Sequence, residues 1–200
     1  MSTVIMQAVC SVDGFIADEQ DGVGSMFAWY ENGDVPVPLF GGDQPLRVSR
    51  ASADHVRPLW DRMRVQVIGR HLFDITDGWN GAAPTEGGRV IVVSHRPRPD
   101  DWHERHPDAP YEFVTSIDAA MTRAKEIAGD GLICVSAGDV GGQAFAAGLV
   151  DEIEMDLAPV VLGRGKRFFG SYEAAAELLL ENPTVVQGDR VTHLHYRVRR

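Results

Sequence analysis

The sequence predicts one three-layer α/β domain, residues 1–200, with a mixed, mostly parallel central sheet closed by an antiparallel hairpin. Three observations carry that expectation. Short apolar runs alternate with segments of helical spacing, as in successive β–α units. The runs VQVIG (65–69), RVIVVS (89–94) and LICVS (132–136) are almost wholly apolar, as strands buried on both faces of a parallel sheet are. The C-terminal TVVQGDRVTHLHYRV reads instead as two strands joined across Gly188-Asp189.

Element by element, TVIMQAVCSV (3–12) is a strand ended by the turn pair Asp13-Gly14. Residues 18–45 are rich in Gly, Pro and Asp, carry Trp29 and Tyr30, and read as a long loop of the kind that usually has work to do. The stretch 48–63 is helical with a disturbance at Pro58, and RHLFDI begins a helix directly after Gly69. RPRPDDWHERHPDAP is too proline-rich for regular structure and reads as a surface loop. Ser116 caps a helix whose apolar positions Ile117, Ala120, Met121, Ala124 and Ile127 repeat at helical spacing, and Gly129 ends it. Val140 to Ala147 forms the next helix, with Gly148 as its stop. In VDEIEMDLAP, Ile153, Met155 and Leu157 alternate with Glu152, Glu154 and Asp156, a strand with one wet face suited to an antiparallel or peripheral place. SYEAAAELLLEN is a last short helix. Neither repeats nor a domain linker interrupt the chain.

Composition narrows the function. With 19 Lys+Arg against 29 Asp+Glu the net charge is −10, a field that repels nucleic acid and anionic membrane. No apolar stretch reaches the ~18 residues of a membrane span, and the N-terminus has no basic flank of a signal peptide. The two cysteines, Cys10 and Cys134, sit in strand-like runs as buried thiols, in keeping with a cytoplasmic protein.

In open α/β sheets ligands bind at the carboxyl ends of parallel strands. That rule gathers Gly69-Arg70, Ser94-His95-Arg96 and the turn Ser136-Ala137-Gly138-Asp139 at one edge. The turn is neither a G-x-G-x-x-G fingerprint nor a Walker loop. Small residues entering a helix still let an anion approach its free amides, although Asp139 also reads as a simple N-cap. Arg70, Ser94 and Arg96 supply the forked and neutral donors that phosphate takes. His193-x-His195 places two imidazoles on one strand face, a spacing that can bind metal; no third ligand is evident and no metal is expected.

These segments carry a resemblance. QAVCSVDGFIAD, VIGRHLFD, RVIVVSHRP, the run from Val135 to Phe169 and the closing THLHYRV together resemble the dihydrofolate reductase superfamily. Within it they are most similar to the C-terminal reductase domain of the bifunctional riboflavin-biosynthesis protein. The resemblance implies a dihydrofolate-reductase-like fold, a homodimer and NADPH as cofactor. Val9 and Ile16 match positions at the nicotinamide. Gly138, Asp139 and Val140 match amides at the pyrophosphate, and Arg70, Ser94 and Arg96 match the adenosine-phosphate end, with His95 between the last two; Gly69, just before Arg70, is counted with the cofactor-binding residues. Two departures stand out. Folate-type members often have a Gly-Gly pair joined by a cis peptide where this chain has Ser136-Ala137. Riboflavin-type members have Lys where it has Phe15, which argues against a ribose-phosphate substrate.

Hydride transfer to C=N or C=O needs a proton for the heteroatom. Asp13 stands where riboflavin-type members have their substrate-side Asp, and Asp54 lies near the folate-type carboxylate; each also reads as an ordinary turn or helix-face charge. The expected function is an NADPH-dependent reductase of a small pterin-like or pyrimidine-like heterocycle. The rivals are a non-catalytic nucleotide-binding module and the 5-amino-6-(5-phosphoribosylamino)uracil reductase of the riboflavin pathway.

Overall fold

The computed structural model describes residues 2–38, 45–173 and 177–199. Its core is an eight-stranded sheet in the order β11-β12-β9-β1-β8-β5-β6-β7. The strands are β1 (Thr3–Ser11), β5 (Met63–Gly69), β6 (Arg89–Val93), β7 (Tyr111–Val114), β8 (Leu132–Ser136), β9 (Glu152–Ala158), β11 (Thr184–Gln187) and β12 (Thr192–Arg197). From β9 to β7 every pairing is parallel, whereas β12 runs antiparallel to β9 and to β11. This is the mixed, mostly parallel sheet with a C-terminal antiparallel hairpin that the sequence predicts. Small ladders lie outside it: β2 (Phe15–Ala17) with β10 (Lys166–Arg167), and β3 (Val35–Val37) with β4 (Leu46–Val48).

Helices cover both faces. They are α1 (Arg50–Trp60), α2 (Arg70–Ile75), α3 (Asp77–Asn80), α4 (Trp102–Arg105), α5 (Ile117–Ala128) and α6 (Asp139–Ala146). The Ser49 hydroxyl caps α1 by accepting from the Ser52 amide, and Ser116 caps α5 through the Ala119 amide. Pro58 is accommodated in the last turns of α1. One face of the sheet presents Val4, Met6, Cys10, Val65, Val67 and Ile133 to α5 and α6. The other presents Ile5 and Val9 to α1 and to a 3-10 turn at Gly24–Tyr30. β1 is central because it feeds both cores.

The structure corrects several expectations. The proline-rich loop at 96–110 contains α4, and Trp102 is buried against Phe73, with ring centroids 4.7 Å apart. Directly after it, Tyr111–Val114 adds the edge strand β7. The predicted helix at 171–182 is not seen in its described residues, which are irregular; 174–176 lie outside the described residues. The face of β9 expected to be wet is dry: Glu154 is 0 % and Asp156 1 % exposed. β9 does take an antiparallel partner, β12, but it is not peripheral, because β1 and β12 flank it; the edges are β11 and β7. Among the described residues no helix is long and apolar enough to cross a membrane.

Candidate functional site

A cavity of about 1220 Å³ opens at the carboxyl ends of β1, β5 and β8. That exceeds the ~300–1,000 Å³ usual for a single small ligand. Its walls are apolar and aromatic, with Phe27, Tyr30, Trp60, Leu72 and Trp79. The long loop thus divides its aromatic pair. Trp29 is 1 % exposed and fills the core, while Tyr30 faces the cavity.

The turn from β8 into α6 forms one wall. Gly138 sits at φ 97°, ψ −153°, a conformation all but closed to residues with a Cβ, and is itself the N-cap of α6. Its amide donates to the Phe168 carbonyl at 2.7 Å. The next amides, of Asp139, Val140 and Gly141, lie in the first helical turn and have no acceptor within the helix. A Cβ on Gly138 would lie 3.2 Å from Ile16 Cδ1 across the wall. The Asp139 carboxylate accepts from the Ser171 amide and hydroxyl, each at 2.9 Å, and so anchors a loop rather than capping the helix. The Ser136–Ala137 peptide is trans.

Of the residues singled out in the sequence, Val9, Ile16, Gly69, Gly138, Asp139 and Val140 line this cavity. Arg70, Ser94 and Arg96 gather beside it, beyond Gly69. Arg70 Nε and Arg96 Nη2 both donate to Asp74 at 2.7 Å, and Arg70 also reaches the Pro97 carbonyl at 2.5 Å. The Ser94 hydroxyl accepts from the Arg96 amide at 3.0 Å and donates to its carbonyl, which shapes the turn; His95 is exposed on it. Against burial, both arginines hold the Asp74 carboxyl below its ordinary range.

The two carboxylates expected as acids have other work. Asp13 accepts from the Ser11 hydroxyl at 2.6 Å and from the amides of Leu162 and Gly163 at 3.1 and 2.6 Å. The Ser11 hydroxyl first, and then these amides, keep its carboxyl below the usual range, so Asp13 is an ionised anchor for the loop after β9. Asp54 lies on the outer side of α1 with a 64 % exposed side chain, beside Arg50. Neither lines the cavity.

Sequence reasoning missed the polar floor, where Gln7, Gln66, Cys134 and Asp156 face the cavity. Asp156 Oδ1 meets His193 Nδ1 at 2.6 Å, and Gln7 Nε2 donates to Asp156 Oδ2 at 3.3 Å. Farther along the same face Glu154 lies between His55 Nε2, at 2.7 Å, and His195 Nδ1, at 2.8 Å. Register explains the pairing: Asp156 opposes His193 and Glu154 opposes His195 across β9 and β12. The signal was present as two complementary period-two patterns, acids on one strand and imidazoles on the other. Burial raises the Asp156 carboxyl above its ordinary range. Burial also works against the charge of Glu154, but hydrogen bonds from His195 and His55 hold that carboxyl low. Glu152 and Glu154 push His195 up to about 9. Ligand atoms of His55, Glu154 and His193 converge within 4.8 Å, but hydrogen bonds close this network and we read none of the three as a metal ligand. Burial pushes the thiols of Cys10 and Cys134 up to about 12, which leaves both inert.

At the mouth, Asp21 joins Lys166 of β10 to His71 of α2. Arg167 lies opposite Phe15 in the β2–β10 ladder, lines the cavity and has no ion-pair partner among the described residues.

Comparison with solved structures shows the same fold. A putative riboflavin biosynthesis protein from Shewanella sp. PV-4 superposes with a TM-score of 0.67 at 21 % identity, covering 100 % of both chains. A pyrimidine reductase-like protein from Corynebacterium diphtheriae gives 0.60 at 16 %, covering 100 % of this chain and 92 % of that one. The diaminohydroxyphosphoribosylaminopyrimidine deaminase/5-amino-6-(5-phosphoribosylamino)uracil reductase of Thermotoga maritima gives 0.63 at 13 %, covering 99 % of this chain but 57 % of that longer one. No curated protein sequence matches the chain. The sequence model of the RibD C-terminal domain matches residues 2–194, and the chain belongs to that family.

Proposed function

We propose that the chain is an NADPH-dependent reductase that transfers hydride to the C=N or C=O carbon of a small, flat pyrimidine-like or pterin-like heterocycle. The observation that carries this reading is the joining of two features in one cavity. A glycine turn offers first-turn amides of α6, and an aromatic-walled chamber with a polar floor adjoins it. The residues fit the cofactor. The amides of Asp139 and Val140, approached over Gly138, would hold the pyrophosphate, and Val9 and Ile16 would border the nicotinamide. Gly69, Arg70, Ser94, His95 and Arg96 would border the adenosine phosphate. NADPH, when bound, supplies the hydride. The chain's own residues align the ring, exclude water through the aromatic walls and provide charge at the phosphate end. There, two guanidinium groups share one carboxylate, Asp74, so a phosphate dianion meets an excess of positive charge.

The test is cofactor choice. Arg96 is largely exposed and, among the described residues, bonds through its side chain to Asp74 alone, so Arg96→Ala should leave the fold intact. A charge-assisted hydrogen bond contributes on the order of 1.5–3 kcal/mol. The variant should therefore bind NADPH roughly ten-fold more weakly and NADH almost unchanged by calorimetry; equal losses would sink the phosphate assignment. Arg70→Ala should act in the same direction.

One observation favours a phosphoribosyl-pyrimidine substrate. Phe15 removes the cation that riboflavin-type members carry at this place, but Arg167 stands opposite it in the ladder and lines the cavity, with no ion-pair partner among the described residues. A non-catalytic role is separated from both readings by consumption of NADPH. We further propose a cytosolic homodimer that covers the exposed edge strand β11, where Val185 is 56 % exposed. A monomer mass in sedimentation at micromolar concentration would refute the dimer.

A further inference from the structure

Hydride addition to a C=N carbon leaves a nitrogen that must take a proton. Asp13 is an ionised loop anchor and Asp54 a surface charge, so neither offers one to the cavity. Asp156 lies at the cavity floor and heads a continuous chain of hydrogen bonds that leads away from the cavity mouth. Asp156 Oδ1 meets His193 Nδ1 at 2.6 Å, and His193 Nε2 meets Ser52 Oγ at 2.9 Å. The Ser49 hydroxyl donates to Ser52 Oγ at 3.1 Å. Asp156, His193 and Ser52 are buried at 1, 0 and 1 % exposure, whereas Ser49 is half-buried at the N-terminus of α1.

We propose that Asp156 is the acid of this site, and that Ser49, Ser52 and His193 are positioning residues that return a proton to it from the N-terminal end of α1. The inference rests on the reductase reading above. Its physical basis is the continuity of these bonds. With Ser49 donating to Ser52, the one hydroxyl proton of Ser52 is available to His193 Nε2, and the proposed route has it donate there. An imidazole that accepts at Nε2 carries its proton on Nδ1, where it faces Asp156. In that arrangement every donor in the chain points toward the carboxylate.

The step balances. The hydride brings the electron pair of the new C–H bond, and the Asp156 O–H breaks as the substrate N–H forms. The carboxylate left behind takes the Nδ1 proton of His193. His193 takes the proton of Ser52, Ser52 that of Ser49, and Ser49 one from water. The surroundings favour a carboxyl that holds its proton. Burial raises Asp156, opposed by the bond from His193 and reinforced by the charge of Glu154. Gln7 on β1, Cys134 on β8 and Tyr30 in the 3-10 turn also face it, and none of them is a cation. His55 and His195 are committed to Glu154.

The decisive measurement is the tautomer of His193. Protein labelled with ¹⁵N-histidine and saturated with NADPH should show a neutral ring protonated at Nδ1 in two-bond proton–nitrogen correlation spectra at neutral pH. The Nε2–H tautomer, or an imidazolium, overturns the proposal, because the donors would then no longer run toward Asp156. Ser52→Ala should abolish the tautomer preference and Ser52→Thr, which keeps the hydroxyl, should restore it. Turnover gives the second readout, with 7,8-dihydrofolate as the C=N probe. Asp156→Asn should lower kcat about a hundred-fold, within the range of a lost general acid, with KM for NADPH unchanged. Ser52→Ala should lower kcat most at high pH, where solvent protons are scarce. An Asp156→Asn protein that turns over like wild type overturns the assignment. A protein that fails to bind NADPH overturns the reductase reading itself; normal binding with the wrong tautomer overturns only the proton route.

Discussion

Substituting Gly138 by Ala separates a cofactor cradle from a mere bend. The backbone at φ 97°, ψ −153° lies in a region that essentially only glycine adopts, so Ala should cost ~1–3 kcal/mol of stability whatever binds there. The new Cβ would stand 3.2 Å from Ile16 Cδ1, tight enough that the isoleucine tip must move a few tenths of an ångström. Gly87 supplies the control. Its φ is +69° and a Cβ there meets nothing within 4 Å, so Gly87→Ala carries backbone strain of ~1–2 kcal/mol and no obstruction. Both variants should melt a few degrees below wild type. NADPH at a hundred times Kd adds about 2.7 kcal/mol to a protein that binds it. For a chain of 200 residues that corresponds to roughly 5–11 °C. Wild type and Gly87→Ala should show this upward shift in a thermal melt, and Gly138→Ala should lose most of it. If Gly138→Ala stays folded and its melting point still rises as far as wild type, the turn is only a bend.

Two further outcomes follow from the charged groups. Asp13→Asn removes the charge that holds the loop after β9, so the amides of Leu162 and Gly163 should exchange with deuterium faster while the amides of β1 keep their protection; unchanged exchange would mean that the anchor is not needed. His195 is raised from 6.5 to about 9 by Glu152 and Glu154, so its contribution to stability is complete below pH 6.5 and is lost as pH climbs through about 9. The matching carboxylates of Glu152 and Glu154 are lowered, so their share is lost instead as pH falls below the ordinary glutamate range. The stability gap between wild type and His195→Gln, measured by urea unfolding, should therefore be widest near pH 5–6.5 and close toward pH 10; a gap independent of pH would refute the charged pairing.

The alternation of strands and helices was legible because each run is short, apolar and bounded by its own cap or turn. Ser116 and Gly129 frame α5 in the sequence as they do in space. The gathering of Gly69, Arg70, Ser94, Arg96 and Gly138 at one sheet edge was legible too, because a parallel β–α order dictates where the strand ends meet. What escaped was burial that depends on distant partners. Glu154 and Asp156 look solvent-facing in β9 because their imidazole partners lie about forty residues later, on β12, and His55 about a hundred earlier, on α1. Trp102 sits among prolines and charges, and only its contact with Phe73 and Tyr111 shows it as core. The short edge strand β7 carries too few residues for a period to be read.

The polar seam between β9 and β12 also bears on how the fold places its site. An unpaired buried carboxylate costs several kcal/mol, so such a seam persists only if each charge meets a partner in the correct register. A slip of one residue would turn Glu154 and Asp156 to the face that Val4, Met6 and Cys10 share with α5 and α6, stranding both charges in hydrocarbon. A slip of two would keep the face but set Asp156 opposite Val191 with Glu154 opposite His193, or Asp156 opposite His195 with Glu154 opposite Arg197, and in either case leave Ser52 without His193. The native register satisfies Glu154 twice and Asp156 twice and also gives His193 to Ser52. The same pairs that would move a proton thus fix the hairpin against β9, and β9 in turn holds Asp156 beside Val9 of β1 at the cavity floor. A variant that swaps the seam for hydrocarbon, such as Asp156→Leu with His193→Leu, should then remain folded or gain stability while losing a unique register. Double strand-pairing signals between β9 and β12 in amide NMR spectra would reveal that loss, and a single native register in that variant would show that packing alone is enough.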